Sequence, residues 1–181
     1  MSVAEPARLD PAALLPALAR EWGGVEVELV EDRRLSAGAS RISWSMDVRA
    51  EGEVHGLVVQ RERVRGLGRS EVVHEAALLR AAAIAGVPVP EVVLADPDGD
   101  ELGGAYIVTT RVDGETIPRR ILRAPALAPA RERFAAQCGE ILARIHAIPA
   151  GTVELAEIDP IDAIRKMLAG TGQHRPSFEI G

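Results

Sequence analysis

The chain of 181 residues is long enough for one ordinary domain, or for a small lobe followed by a helical extension. Its 47% of hydrophobic and 27% of charged residues are typical of a globular protein, and its net charge of −6 argues against nucleic-acid binding, which needs an excess of Lys and Arg. One cysteine, Cys138, cannot form an internal disulfide, and no apolar run is long enough to cross a bilayer. We expect a cytoplasmic protein with neither nucleic acid nor membrane as a partner.

The first elements in chain order are a helix and three strands. Asp10 followed by Pro11 is a favourable helix start, and Gly23 with Gly24 is a favourable end. The sequence that follows alternates apolar and acidic residues, which predicts a half-buried strand. Strands are expected at residues 25–30, 42–48 and 54–61, the last two joined by a turn at Glu51-Gly52.

The second half predicts one helix, two strands and then helices only. Ser70 can cap a helix that Gly86 ends near residue 85. Strands are expected at 91–95 and 105–110, and the clearest later helix at 129–148, where apolar residues recur at helical spacing. The pattern predicts an α+β fold in three parts: an N-terminal helix (1–24), a sheet-forming part (25–114) and a helical part (115–181).

Three places in this order carry candidate chemistry. The loop "LSAGAS" has small residues that let backbone N–H groups approach phosphates, with Ser36 and Ser40 as hydroxyl donors around Gly38, although such a turn is also an ordinary hairpin. Glu75 falls on or beside the apolar stripe of its helix, where a carboxylate needs a partner unless it reaches solvent.

The strand "GLVVQRERV" offers possible partners for Glu75. Gln60 and Arg61 point to opposite faces of the sheet because side chains alternate along a strand. Arg61 is alternatively a solvated strand charge. The only lysine is Lys166, so any phosphate contact before it must come from Arg, a polar side chain or backbone amides.

Other sites are excluded by their spacing. The glycines of "RGLGRSE" begin like a dinucleotide fingerprint, but the third position is Glu71, which would repel a pyrophosphate. The acidic turn "DPDGDE" lacks the Gly and Glu of a calcium loop. The four histidines have no metal-ligand spacing, and no nucleophile stands beside a base.

Taken together, the segments "LSAGAS", "LVVQR", "HEAALLRAAAIAGVPVPEVV", "AYIVTTRVDGE" and "ILARIHAIP" resemble the N-terminal half of the aminoglycoside-phosphotransferase-like kinases. Within that family they are nearest to the kinase domains fused to some acyl-CoA dehydrogenases. The resemblance covers roughly residues 25–149. It implies a protein-kinase-like N-lobe, formed by a five-stranded antiparallel sheet and one packed helix, followed by the first helices of a helical C-lobe.

The resemblance also implies roles for individual residues. The loop with Ser36, Gly38 and Ser40 would cover the phosphates of ATP, and Glu75 would pair with the basic residue of the third strand. The Thr110 carbonyl and the Val112 amide would contact the base at the hinge. The implied activity is ATP-dependent phosphorylation of a hydroxyl group on a small substrate; aminoglycosides, amino alcohols, sugars and hydroxyacyl thioesters are all compatible.

The sequence departs from the family pattern at two points. The third-strand position that should carry Lys or Arg is Gln60, with Arg61 one residue later. No His-x-Asp occurs, so the catalytic Asp and the Mg²⁺ ligands of the family are not in this sequence, and we expect no turnover. We expect a truncated kinase that self-associates through an exposed C-lobe surface; the alternative is a stand-alone, pseudokinase-like module that binds nucleotide or a protein.

Overall fold

A five-stranded antiparallel sheet forms the middle of the structure. The computed structural model describes residues 10–35, 41–62, 69–154, 161–162 and 164–165. The strands are β1 (Val27–Arg34), β2 (Arg41–Ala50), β3 (Glu53–Glu62), β4 (Val92–Asp96) and β5 (Tyr106–Thr110), in the spatial order β1-β2-β3-β5-β4. The expected α+β fold with a five-stranded antiparallel sheet is confirmed.

The β2–β3 hairpin is the longest ladder of the sheet. Its register is continuous from the Arg41–Glu62 pair to the Ala50–Glu53 pair. Glu51 (φ 49°) and Gly52 (φ 83°) close it, and two successive positive φ values are what a tight turn matched to the strand twist requires.

A bulge in β1 changes which side chains face each side of the sheet. The register shifts between Leu29, which pairs with Val48, and Glu31, which pairs with Asp47. Leu29 therefore packs on the core, whereas Glu31 points to the other face. β1 ends four residues later than the sequence predicted, because its last part is charged and solvent-exposed and shows no apolar alternation.

The two faces of the sheet differ in chemistry. One face, the apolar face, carries Trp44, Met46, Val59 and Val108, which pack with Leu14 and Leu18 of the N-terminal segment. That segment is a 3₁₀ turn (Pro11–Leu14) followed by α1 (Leu15–Glu21). The Asp10 carboxylate accepts a hydrogen bond from the Ala12 N–H, as the expected N-cap does.

The opposite face, the α2 face, is covered in part by α2 (Arg69–Ile84). Val72 and Ala76 of this helix pack against Ala105 and Ile107. α2 makes its main contacts with the sheet over β4 and β5, and Glu75 of the helix reaches Arg41 at the start of β2.

Within residues 111–154, two α-helices follow the sheet: α3 (Pro118–Arg123) and α4 (Ala128–His146). α4 is the long helix expected at 129–148. Neither helix has a buried residue, although α4 carries the predicted apolar positions. In the part of the chain described, no helix is both long and apolar enough to be a membrane span.

Candidate functional site

Polar side chains line the α2 face where β2 and β3 run side by side. Paired residues of an antiparallel ladder share a face, and Gln60 pairs with Ile107, which packs against α2. The same face therefore carries a series of residues on three strands: Arg41, Ser43, Ser45, Asp47, Val58, Gln60, Glu62 and Thr109. A sheet face this polar beside an apolar opposite face is suited to a hydrophilic ligand rather than to a second core.

Arg41 joins β3 to α2 through two carboxylates. Its Nε donates to Glu62 Oε1 at 2.9 Å, and its Nη1 donates to Glu75 Oε2. The Arg41 side chain is 19% exposed, that of Glu62 8% and that of Glu75 33%. Burial alone would lower the pKa of Arg41, but the hydrogen bonds to Glu75 and Glu62 outweigh it, and its pKa lies above the usual value.

Glu75 thus has a different partner from the one expected. The sequence pointed to a third-strand residue, but the cation that Glu75 binds lies on β2. Gln60 does lie on the α2 face, but it carries no charge. Since Glu75 lies at the edge of the buried stripe formed by Val72 and Ala76, it reaches the rim of the sheet where β2 begins.

Arg61 lies on the apolar face, away from Glu75. It is 7% exposed, and its guanidinium donates to the backbone carbonyls of Leu102 (Nε, 2.9 Å) and Glu62 (Nη1, 2.9 Å). Burial lowers its pKa. The alternative that Arg61 is a solvated strand charge is wrong, and the side chain points away from the face that carries Gln60, because a one-residue step along a strand reverses the direction of the side chain. Its bonds tie β3 to the turn before β5.

The predicted hinge follows directly from β5. Thr109 is buried on the α2 face, and the Thr110 N–H donates to the Glu91 carbonyl at 2.9 Å. The Glu91 N–H donates to the Thr110 hydroxyl, also at 2.9 Å. Val112 is 71% exposed. Both backbone groups named for base contacts therefore lie at the point where the chain leaves the sheet.

Arg111 was not singled out by sequence, yet it closes the hinge end of the α2 face. Its Nη1 donates to Ser45 Oγ at 3.0 Å and to Asp47 Oδ1. With Glu31 and Arg33 it lines a polar pocket of about 160 Å³. The guanidinium lies over Gly56, where a Cβ would come within 2.8 Å of it.

The predicted phosphate loop lies outside the described residues, so Ser36, Gly38 and Ser40 have no described geometry. Its ends are placed. The Leu35 N–H donates to the Ser43 carbonyl at 2.9 Å, which brings β1 and β2 together at the base of the loop. Arg41 is the first residue after the loop and is the charged residue that sequence reasoning missed; an arginine following a small-residue loop in a region without lysine is the signal that points to it.

Within the described residues no group of three or more His, Cys, Asp or Glu side chains is arranged to hold a metal ion. Glu62 and Glu75 are both engaged by Arg41.

Comparisons with known proteins concern the family and the fold. The model of the phosphotransferase enzyme family (APH) matches residues 33–176. No match is found among curated proteins. One similar solved structure comes from Ralstonia eutropha JMP134 and is provisionally assigned as an aminoglycoside phosphotransferase. Its TM-score is 0.58 and its sequence identity is 17%. The match covers 93% of this chain and 50% of that chain.

A second solved structure, the GDP and kanamycin complex of APH(2″)-IIIa, has a TM-score of 0.48 at 15% identity, covering 84% of this chain and 49% of that one. The chain thus spans about half the length of the solved structures it resembles. At these identities the likeness concerns the fold.

Proposed function

Because the chain belongs to the phosphotransferase enzyme family, we propose that it forms the nucleotide-binding part of an enzyme that phosphorylates a hydroxyl group on a small molecule, using ATP. The observation that carries this proposal is the polar α2 face, which ends near Arg41, the residue that follows the small-residue loop in sequence, and near the predicted hinge after β5. A phosphotransferase needs this kind of surface, since it works by positioning its nucleotide and neutralising its charge.

In this proposal each end of the α2 face holds one end of ATP. The Thr110 carbonyl and the Val112 amide bind the base, and backbone amides of the loop with Ser36, Gly38 and Ser40 bind the phosphates. In this proposal ATP supplies the phosphoryl group, and the hinge and the loop hold and orient the nucleotide.

No magnesium ligand is assigned to this part of the chain, because the described acidic side chains do not form a metal site. The substrate site and the groups that perform the transfer are likewise not assigned to the described residues. A cytoplasmic location, where ATP is available, is part of the proposal.

Val112 provides a direct test of the hinge. Replacing it with Pro removes the amide donor, whereas Val112→Ala keeps that donor and serves as the matched control. We expect Val112→Pro to weaken both ATP and adenosine by about ten-fold, in line with a lost hydrogen bond to the ligand. Calorimetric titrations of the three proteins measure this, and equal adenosine affinity in Val112→Pro and wild type would refute the hinge assignment.

A second proposal, the self-association expected of a truncated kinase through an exposed C-lobe surface, is favoured by the surface of α3 and α4. On α3, Leu122 is 68% exposed. On α4, the exposed fractions are 67% for Phe134, 51% for Leu142 and 43% for Ile145. Large apolar side chains concentrated on two neighbouring helices are typical of a surface that another element covers. We propose that a second copy of the chain covers it when the chain is isolated.

A further inference from the structure

Arg41 occupies the position where the proposed phosphate loop rejoins the sheet. It is the first residue of β2 and follows Ser40 directly. Its side chain points to the α2 face, as its bond to Glu75 shows. Arg41 therefore lies beside the phosphate end of the proposed nucleotide site, at the opposite end from the hinge.

The guanidinium of Arg41 is held in place from two directions. Glu62 on β3 binds Nε and Glu75 on α2 binds Nη1. An arginine guanidinium has five N–H donors in a fixed planar arrangement, so these two bonds orient it and leave donors for a further acceptor. The three groups have a formal charge of −1 together, so Arg41 offers directed hydrogen bonds rather than a net attraction.

The other basic residues described near this face are placed for different contacts. Arg61 is on the apolar face and is bonded to two carbonyls. Arg33 and Arg111 line the pocket around Ser45, four residues further along β2 and next to the hinge.

We propose that Arg41 on β2, rather than a residue of β3, donates guanidinium hydrogen bonds to the nucleotide phosphates, with Glu62 and Glu75 as the groups that position it. The inference rests on the proposed nucleotide-binding function and assigns a residue within that site. Arginine suits the role because its planar N–H pairs match two phosphate oxygens at once.

The test compares ATP with adenosine, which has the base and ribose but no phosphates. Arg41→Gln removes the charge and keeps a polar side chain. Arg49→Gln is the matched control, because Arg49 is an exposed arginine near the far end of the same strand. NMR titrations of the 181-residue chain with magnesium-ATP and with adenosine measure both affinities.

We expect Arg41→Gln to weaken ATP about ten- to a hundred-fold and to leave adenosine affinity unchanged, because only a phosphate contact is lost. Arg49→Gln should match the wild type for both ligands. Arg41→Gln could fail to fold, because Glu62 would lose its buried partner. Arg41→Lys keeps a positive charge at this position and is the second variant. We expect it to lower the affinity for ATP several-fold and to leave the affinity for adenosine unchanged.

The outcomes separate the inference from the function on which it rests. If the wild type binds ATP and Arg41→Gln binds it with the same affinity, the inference is overturned but the proposed function stands. An equal loss of ATP and adenosine also overturns it, because it shows a distorted base site. A wild-type chain that binds neither ligand refutes the proposed function, and the inference with it.

Discussion

Gly56 has no side chain, and the Arg111 guanidinium lies in the space above it at the hinge end of the α2 face. A Cβ built at Gly56 would lie 2.8 Å from both Cζ and Nη2 of Arg111, closer than such atoms approach. Gly56 is not among the glycines with positive φ, so alanine fits its backbone conformation. In the folded state, Gly56→Ala should therefore act by pushing the guanidinium away.

The expected cost follows from the bonds that Arg111 would lose. These are the hydrogen bond to Ser45 at 3.0 Å and the ion pair with Asp47, in which both side chains are partly exposed (35% and 25%). A partly exposed pair and one charged hydrogen bond together contribute about 1–2 kcal/mol to the free energy of unfolding. Because alanine also restricts the unfolded chain, which offsets about 0.4–1 kcal/mol, the net loss should be at most about 1.5 kcal/mol and the melting temperature should fall by up to about 5 °C.

The effect should change sign when Arg111 is absent. In an Arg111→Ala background the Cβ at position 56 meets no guanidinium, and Gly→Ala then stabilises by about 0.4–1 kcal/mol, because it restricts the unfolded chain. Urea unfolding of the wild type, both single variants and the double variant measures the coupling. Gly114→Ala is the control, since a Cβ there has no atom within 4 Å.

The same destabilisation by Gly56→Ala with and without Arg111 would show that the backbone, not the guanidinium, requires glycine. The contact described between Gly56 and Arg111 would then not explain the glycine.

Two further predictions concern the core and the helical surface. Tyr106, the only tyrosine in the sequence, is 1% exposed, and its hydroxyl donates to Glu101 at 3.2 Å. Burial, and then the charges of Glu101 and Asp96, raise the pKa of Tyr106 in the folded state. The tyrosine therefore loses its proton more readily in the unfolded chain, and the free energy of unfolding should fall as the pH rises above about 10. Tyr106→Phe should remove that fall in urea unfolding between about pH 9 and 11, and an unchanged pH profile would contradict it. Light scattering should show concentration-dependent association of the wild type, and Phe134→Ser with Leu142→Ser should abolish it; a monomeric wild type would contradict the proposed interface.

The fold was predictable because its signals are local. Alternation identified the strands, Gly86 and the prolines after it identified the end of α2, and the Glu51-Gly52 turn fixed one hairpin. The end of β1 was missed because a bulge followed by charged residues breaks the alternation on which the prediction depended.

The site was predictable only as far as single positions go. Sequence placed Glu75 at the edge of an apolar stripe and Gln60 on the opposite face from Arg61, and both are seen. It did not identify Arg41 as the partner of Glu75, because that pairing depends on how β2, β3 and α2 meet in space. The contact between Arg111 and Gly56 was missed for the same reason: the two residues are distant in sequence and adjacent in the sheet.

The continuous β2–β3 ladder also bears on the order in which the sheet assembles. Its strands are separated by a two-residue turn that closes at little entropic cost, whereas β3 reaches β5 only after residues 63–105 have been brought together. We expect the hairpin to be formed in the transition state for folding and the β3–β5 pairing to complete later. Gly52→Ala, which strains the turn, should then slow refolding in stopped-flow experiments, while Val108→Ala should mainly speed unfolding.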